Sequence, residues 1–168
     1  MQHILIVGSN GVGKSTLIRS LLSGLDRPVY GVITKKEAPD PDGFSPIYIH
    51  RYGEDRRYTS ENRIGLCRER RSVAYPEAFD RFAKTMRFPH DGVIVFDELG
   101  FMESNAPVFT KAVLDTLDTA PLVIAAVRDR PTRFLDAVRT HPRAQVFRID
   151  EQNRNALFET LSGLLQQL

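Results

Sequence analysis

The sequence predicts an α/β fold in three layers, a mainly parallel sheet with helices on both faces and an inserted β-hairpin. Three observations carry that expectation. Fully apolar, largely β-branched runs recur at Ile4-Leu5-Ile6-Val7, Val93-Ile94-Val95-Phe96 and Leu122 to Val127, the pattern of strands buried on both faces of a parallel sheet. Segments of helical period follow them. Asp40-Pro41-Asp42-Gly43 is turn chemistry, and Phe44 to His50 alternates as the return strand of a hairpin.

Each element has its own signal. After Ile4 to Val7 comes a glycine-rich turn, Gly8 to Gly13. From Lys14 the period changes, with Leu17, Ile18, Leu21, Leu22 and Leu25 on one helical face, until Gly24, Asp26 and Pro28 end the helix. Val29 to Ile33 is a second strand. Residues 51–71 carry seven Arg against Glu54, Asp55, Glu61 and Glu69 and have few apolar anchors, so an irregular, partly mobile excursion is expected. Pro76-Glu77 opens a helix with Ala78, Phe79, Phe82, Ala83 and Met86 on its apolar face. Helices are also expected over Val108 to Leu117 and Pro131 to Val138, and a last strand over Ala144 to Ile149. The terminal helix carries Leu157, Phe158, Leu161, Leu164, Leu165 and Leu168 on one stripe. No internal repeat or low-complexity stretch interrupts this series, and one domain over residues 1–168 is expected.

Composition narrows the functional classes. The 168 residues are 42% hydrophobic and 26% charged, an ordinary globular balance. Lys and Arg total 23 against 21 Asp and Glu, a net charge of +2, which argues against a general nucleic-acid or membrane-surface binder. A single cysteine, Cys67, rules out an internal disulfide framework. No apolar run approaches the ~20 residues of a membrane span. The start, Met1-Gln2-His3, lacks a basic n-region and the chain lacks a cleavage site, so a cytoplasmic protein is expected.

Gly8-Ser9-Asn10-Gly11-Val12-Gly13-Lys14-Ser15, followed by Thr16, satisfies G-x-x-x-x-G-K-[ST] between a predicted strand and a predicted helix. Backbone N–H groups that converge on phosphate oxygens need glycines where a Cβ would block approach or forbid positive φ. The first-turn amides of the next helix add unpaired donors at its positive end. Lys14 supplies charge to the β- and γ-phosphates, and the Ser15 hydroxyl suits Mg²⁺.

Asp97-Glu98 ends an apolar strand, at the sheet edge where ligands of open α/β sheets bind. Asp97 is the natural partner of Ser15 in holding Mg²⁺, directly or through water. Glu98, beside it, is suited to orient and deprotonate an attacking water. Arg128 follows the strand Leu122 to Val127 and is positioned to offset charge on the γ-phosphate; Arg130 is a weaker candidate for the same task.

Joined to Asp97-Glu98-Leu99-Gly100-Phe101-Met102-Glu103, the phosphate loop resembles the small P-loop nucleoside-triphosphatases, the cancer-related nucleoside-triphosphatase family and its thermophile counterparts. Gly31 and Thr34, Gly43-Phe44 and Asn153-Arg154 are further matches, and the resemblance spans nearly the whole chain. It implies a RecA-like P-loop fold that hydrolyses ATP, GTP and other nucleoside triphosphates with Mg²⁺ and broad base tolerance. A nucleoside or nucleotide kinase, with 51–71 as an acceptor lid, and a slowly turning nucleotide switch remain alternatives. No Asn-Thr/Lys-x-Asp-type string follows a late strand, which argues against strict guanine specificity. The sequence names no protein partner.

The remaining polar residues have plainer expectations. His3, His50, His90 and His141 are scattered without metal-ligand spacing and are expected to be structural. Cys67 stands among Arg68, Arg70 and Arg71 but has no His or second Cys in sequence to support thiol chemistry. Lys35 and Lys36 are expected as charges protecting an edge strand. Phe101 and Met102 are expected to pack, and Glu103 to support the acid pair from behind.

Overall fold

The computed structural model describes residues 2–69 and 71–167. The elements run β1 (His3–Gly8), α1 (Lys14–Ser23), β2 (Val29–Lys36), β3 (Ser45–Arg51), β4 (Arg63–Arg68), β5 (Arg71–Ala74), α2 (Pro76–Ala83), β6 (Val93–Leu99), a 3₁₀ turn (Met102–Asn105), α3 (Pro107–Thr119), β7 (Leu122–Arg128), α4 (Arg133–Arg139), β8 (Ala144–Arg148) and α5 (Arg154–Gln166). Met1, Arg70 and Leu168 lie outside the described residues, and with them the last position of the terminal stripe.

One eight-stranded sheet has the order β5-β4-β3-β2-β6-β7-β1-β8. The pairs β2–β6, β6–β7, β7–β1 and β1–β8 are parallel, while β2–β3, β3–β4 and β4–β5 are antiparallel. Strand alternation sends neighbouring residues to opposite faces, and both faces are covered. Leu5 and Val7 pack with Phe79, Phe109, Val113 and Leu135 of α2, α3 and α4. Ile4 and Ile6 pack with Leu17, Leu21, Leu161 and Leu165 of α1 and α5. The continuous apolar runs of β1, β6 and β7 follow from this two-sided burial. Among the described residues no helix is long and apolar enough to cross a membrane.

The antiparallel wing departs from expectation twice. Residues 52–62 form the irregular excursion expected, but it ends there: β4 adds to β3, and β5 adds to β4, so the hairpin grows into a meander. The arginines that hid it pack on aromatic rings. Arg68 stands 5.1 Å from the Phe44 ring and Arg63 5.9 Å from that of Tyr75, so their flat guanidinium groups cover apolar surface. Lys35 and Lys36 do not lie on an edge strand. They extend β2 past its pairing with β6, which ends at Val32, and are opposite Tyr48 and Ile47 of β3.

Local chemistry fixes the rest. Asp80 at α2 accepts from Val108 N and Phe109 N, each at 2.9 Å, and so caps the start of α3. Gly31 has φ 138°, and a Cβ there would stand 2.0 Å from Val95 O. Only glycine lets β2 approach β6 at that point.

Candidate functional site

Four strands deliver the site. β2, β6, β7 and β1 lie side by side, and Thr34, Asp97, Glu98, Arg128 and Gly8 stand at or near their carboxyl ends. Gly8 is the register partner of Arg128 across the β1–β7 ladder. The loop after Gly8 turns through Gly11 at φ 77° and Gly13 at φ 105°, and α1 begins at Lys14. Gly13 holds the N-cap position with no side-chain cap, leaving the first amides of α1 for a ligand.

Lys14 is buried, and its Nζ donates to Gly8 O at 2.8 Å and Ser9 O at 2.6 Å. One of its three protons remains for a ligand. Burial holds its pKa below the usual lysine range; Glu98 opposes that shift and Arg128 adds to it. Both charges therefore act on the ammonium. Ser9, Asn10, Gly11, Ser15 and Thr16 are exposed or nearly so, while Val12 is buried and anchors the loop to the core beside Ile149.

The acid pair sits on a bulge. Phe96 pairs with Ala125 and Leu99 with Val127, so β6 takes three steps where β7 takes two. The extra residue re-aims the two side chains. Asp97 turns toward β2, where its Oδ1 accepts from Thr34 N at 2.8 Å and Thr34 Oγ1 at 3.4 Å. Burial pushes its carboxyl up to about 7, with the Glu98 charge adding to the effect and the Thr34 bonds opposing it. Glu98 turns toward β7, where Oε1 accepts from Arg128 Nε.

Arg128 is braced from several sides. Its guanidinium lies 5.8 Å from the Phe101 ring, and Arg130 lies 4.9 Å from the same ring. Arg139 on α4 donates to Arg128 O at 3.1 Å and Arg130 O at 2.9 Å. Asp129 is engaged by Arg148 instead, at 2.8 Å. Buried Glu103 accepts from Gly100 N at 2.5 Å, closing the loop after β6; burial raises its carboxyl to about 7. A cleft of about 660 Å³ opens here, lined by Asn10, Thr34, Lys36, Glu98, Arg128 and Arg130 among others.

A hard divalent cation fits this donor set. Asp97 offers a desolvated carboxyl with no cationic partner among the described residues, and Ser15 an exposed hydroxyl at the head of α1. Mg²⁺ takes one or two protein oxygens and completes its shell with water and phosphate. Among the described residues no cluster of three His, Cys, Asp or Glu forms a closed metal cage.

The structure brings together Lys14, Glu98 and Arg128 around the loop, with Asp97 one residue away. The sequence reading did not anticipate the bulge, the Thr34 bond to Asp97 or the mutual pairing of Glu98 and Arg128. Thr34 was visible as a match after the second strand, without a role. His3 is structural, as expected: buried, with Nε2 2.6 Å from Leu117 O and Nδ1 accepting from Val123 N at 3.1 Å. Cys67 contacts Lys36 Nζ at 3.7 Å and lies in the cleft wall.

The family model for NTPase matches residues 3–162. The chain belongs to this NTPase family. It is 27% identical to the cancer-related nucleoside-triphosphatase of Homo sapiens, over 98% of this chain and 97% of the relative. It is 29% identical to the nucleoside-triphosphatase THEP1 of Methanothermobacter thermautotrophicus, over 96% of this chain and 95% of the relative. The solution structure of a human cancer-related nucleoside triphosphatase shares the fold, with TM-score 0.66 and 22% identity over 99% of this chain and 98% of that one.

Proposed function

We propose that this NTPase-family chain hydrolyses nucleoside 5′-triphosphates, ATP and GTP among them, to the diphosphate and phosphate with Mg²⁺. The carrying observation is the convergence of Lys14, the β6 bulge and Arg128 at the carboxyl ends of adjacent strands. The printed names of the relatives support the same reaction class.

The amides from Ser9 to Thr16 hold the phosphates, and Lys14 directs its remaining proton to the β- and γ-oxygens. Ser15 and Asp97 would hold the cation, which would supply positive charge to offset that of the phosphates. Glu98 aligns a water against the γ-phosphorus and takes its proton as the bond to the leaving diphosphate breaks. The pairing with Arg128 fixes the direction of that carboxylate and holds the guanidinium near the γ-phosphate. Most of the acceleration comes from charge and positioning, because phosphoryl transfer asks little covalent chemistry of a protein.

The test is phosphate release from ATP, GTP, CTP and UTP with and without Mg²⁺, for the wild type and Lys14→Ala. Turnover that needs Mg²⁺ and falls at least about a hundredfold in the variant is expected; Mg²⁺-independent turnover, or a fully active variant, rejects the reading. The size of the cleft favours one other reading, transfer to an organic hydroxyl, since a single water needs only about 30 Å³. Phosphate released in less than one equivalent per diphosphate when nucleosides are added would select it.

A further inference from the structure

The phosphate loop borders two separate cavities. Asn10 lines the cleft that holds Glu98, Arg128 and Arg130. Gly13 and Thr16 line a different one, a groove of about 370 Å³ between α1 and α5. A triphosphate with its γ-end toward the charged cleft has its other end free to extend along the Gly13 and Thr16 side of the loop.

Its walls suit a flat, half-polar ligand. Leu17 and Ser20 line the α1 side, and Arg154 and Phe158 the α5 side. Arg154 is exposed, and its Nη1 lies 3.9 Å from the point where a Cβ on Gly13 would stand. Among the described residues no carboxylate pairs with it. Phe158 is half-buried, with part of its ring on the second core and part open to the groove. A cation and an aromatic face thus stand one helical turn apart on α5. A volume above 300 Å³ is within the usual range of small-ligand sites.

We infer that the α1–α5 groove holds the nucleoside half of the substrate, with Arg154 and Phe158 gripping the base by stacking. Stacking on a planar guanidinium or an aromatic ring tolerates any base, because every base has a π-face, and it favours the larger purines. Specificity then follows ring area rather than a hydrogen-bond code. The inference rests on the proposed hydrolysis, and its test is built to fail separately from it.

The measurement is calorimetric binding of Mg²⁺ complexes of ATP, CTP and inorganic tripolyphosphate to the full chain. The wild type is expected to bind ATP about tenfold or more tightly than tripolyphosphate, with CTP between them. Arg154→Ala and Phe158→Leu should each reduce the preference for ATP over tripolyphosphate about tenfold; the leucine keeps the core side of the ring position filled. Arg154→Lys keeps the charge but not the plane, and should resemble the alanine variant. Equal binding of ATP and tripolyphosphate by the wild type, or an unchanged preference in both Arg154→Ala and Phe158→Leu, overturns the inference while leaving the hydrolase reading standing. Failure of the wild type to bind any of the three overturns both. Far-ultraviolet dichroism and the melting temperature of each variant separate loss of fold from loss of contact.

Discussion

Glu98 accepts the Nε–H of Arg128 across the β6–β7 boundary, and the same arginine sits opposite Gly8 on the β1–β7 ladder. A carboxylate suited to handling water and a guanidinium suited to handling phosphate charge therefore constrain each other. Glu98→Gln is expected to bind nucleotide within about threefold of wild type while kcat falls about 10²–10³-fold. Arg128→Ala should lower kcat by a similar factor, because it removes one charge and frees the other. The double variant should lose far less than the product of the two, as groups acting as a unit do. Additive losses in steady-state kinetics would show that the two residues act independently.

Stability should respond to acid through His3. Its ring donates at one nitrogen and accepts at the other, an arrangement only the neutral form can make, and burial lowers its pKa below 6.5. The unfolded chain therefore binds the proton first, and stability is lost as pH falls below about 6.5, by up to about 1.4 kcal/mol per pH unit for this one group. Nearby Arg143 and His141 push in the same direction. Denaturant melts between pH 7.5 and 5 should show this slope, and His3→Gln should flatten it.

Glu103 works in the opposite sense. Its carboxyl titrates near 7 in the fold against 4.5 in the free residue, so its contribution is fully present below pH 4.5 and lost as pH rises through about 7. Glu103→Gln can still accept from Gly100 N without carrying a buried charge. The variant should melt roughly 3–6 °C above wild type at pH 8, and the gain should vanish at pH 4.5. Thermal scans at the two pH values decide it.

Gly31 tests the sheet itself. An alanine methyl would meet Val95 O at 2.0 Å from a backbone already at φ 138°. Gly31→Ala should cost at least about 2–3 kcal/mol, or force β2 away from β6 and carry Thr34 off Asp97. Chemical denaturation measures the first outcome, and a loss of nucleotide affinity at low temperature the second.

The residues differ in how openly they announced these features. Strands buried on both faces write themselves as apolar runs, and the phosphate loop needs glycines at fixed spacing, so β1, β6, β7 and the loop could be read directly. The β4–β5 meander could not, because its apolar positions are few and its arginines hide stacked contacts with Phe44 and Tyr75 that exist only after folding. The bulge at Asp97-Glu98 is a mismatch between two strands far apart in the chain, and no local pattern encodes it. Thr34 meets Asp97 across 63 residues for the same reason.

The pairing of Gly8 with Arg128 has a practical meaning for how this protein could fail. Grip and counter-charge are rungs on one hydrogen-bonded ladder, spaced by backbone geometry and not by a hinge. Sliding β7 by a single rung, about 3.3 Å, would throw the arginine off the loop and turn its neighbours inside out at once. A slip of register at this seam, unlike the loss of one side chain, therefore announces itself as a chain that does not fold, long before it could persist as a well-formed but idle catalyst.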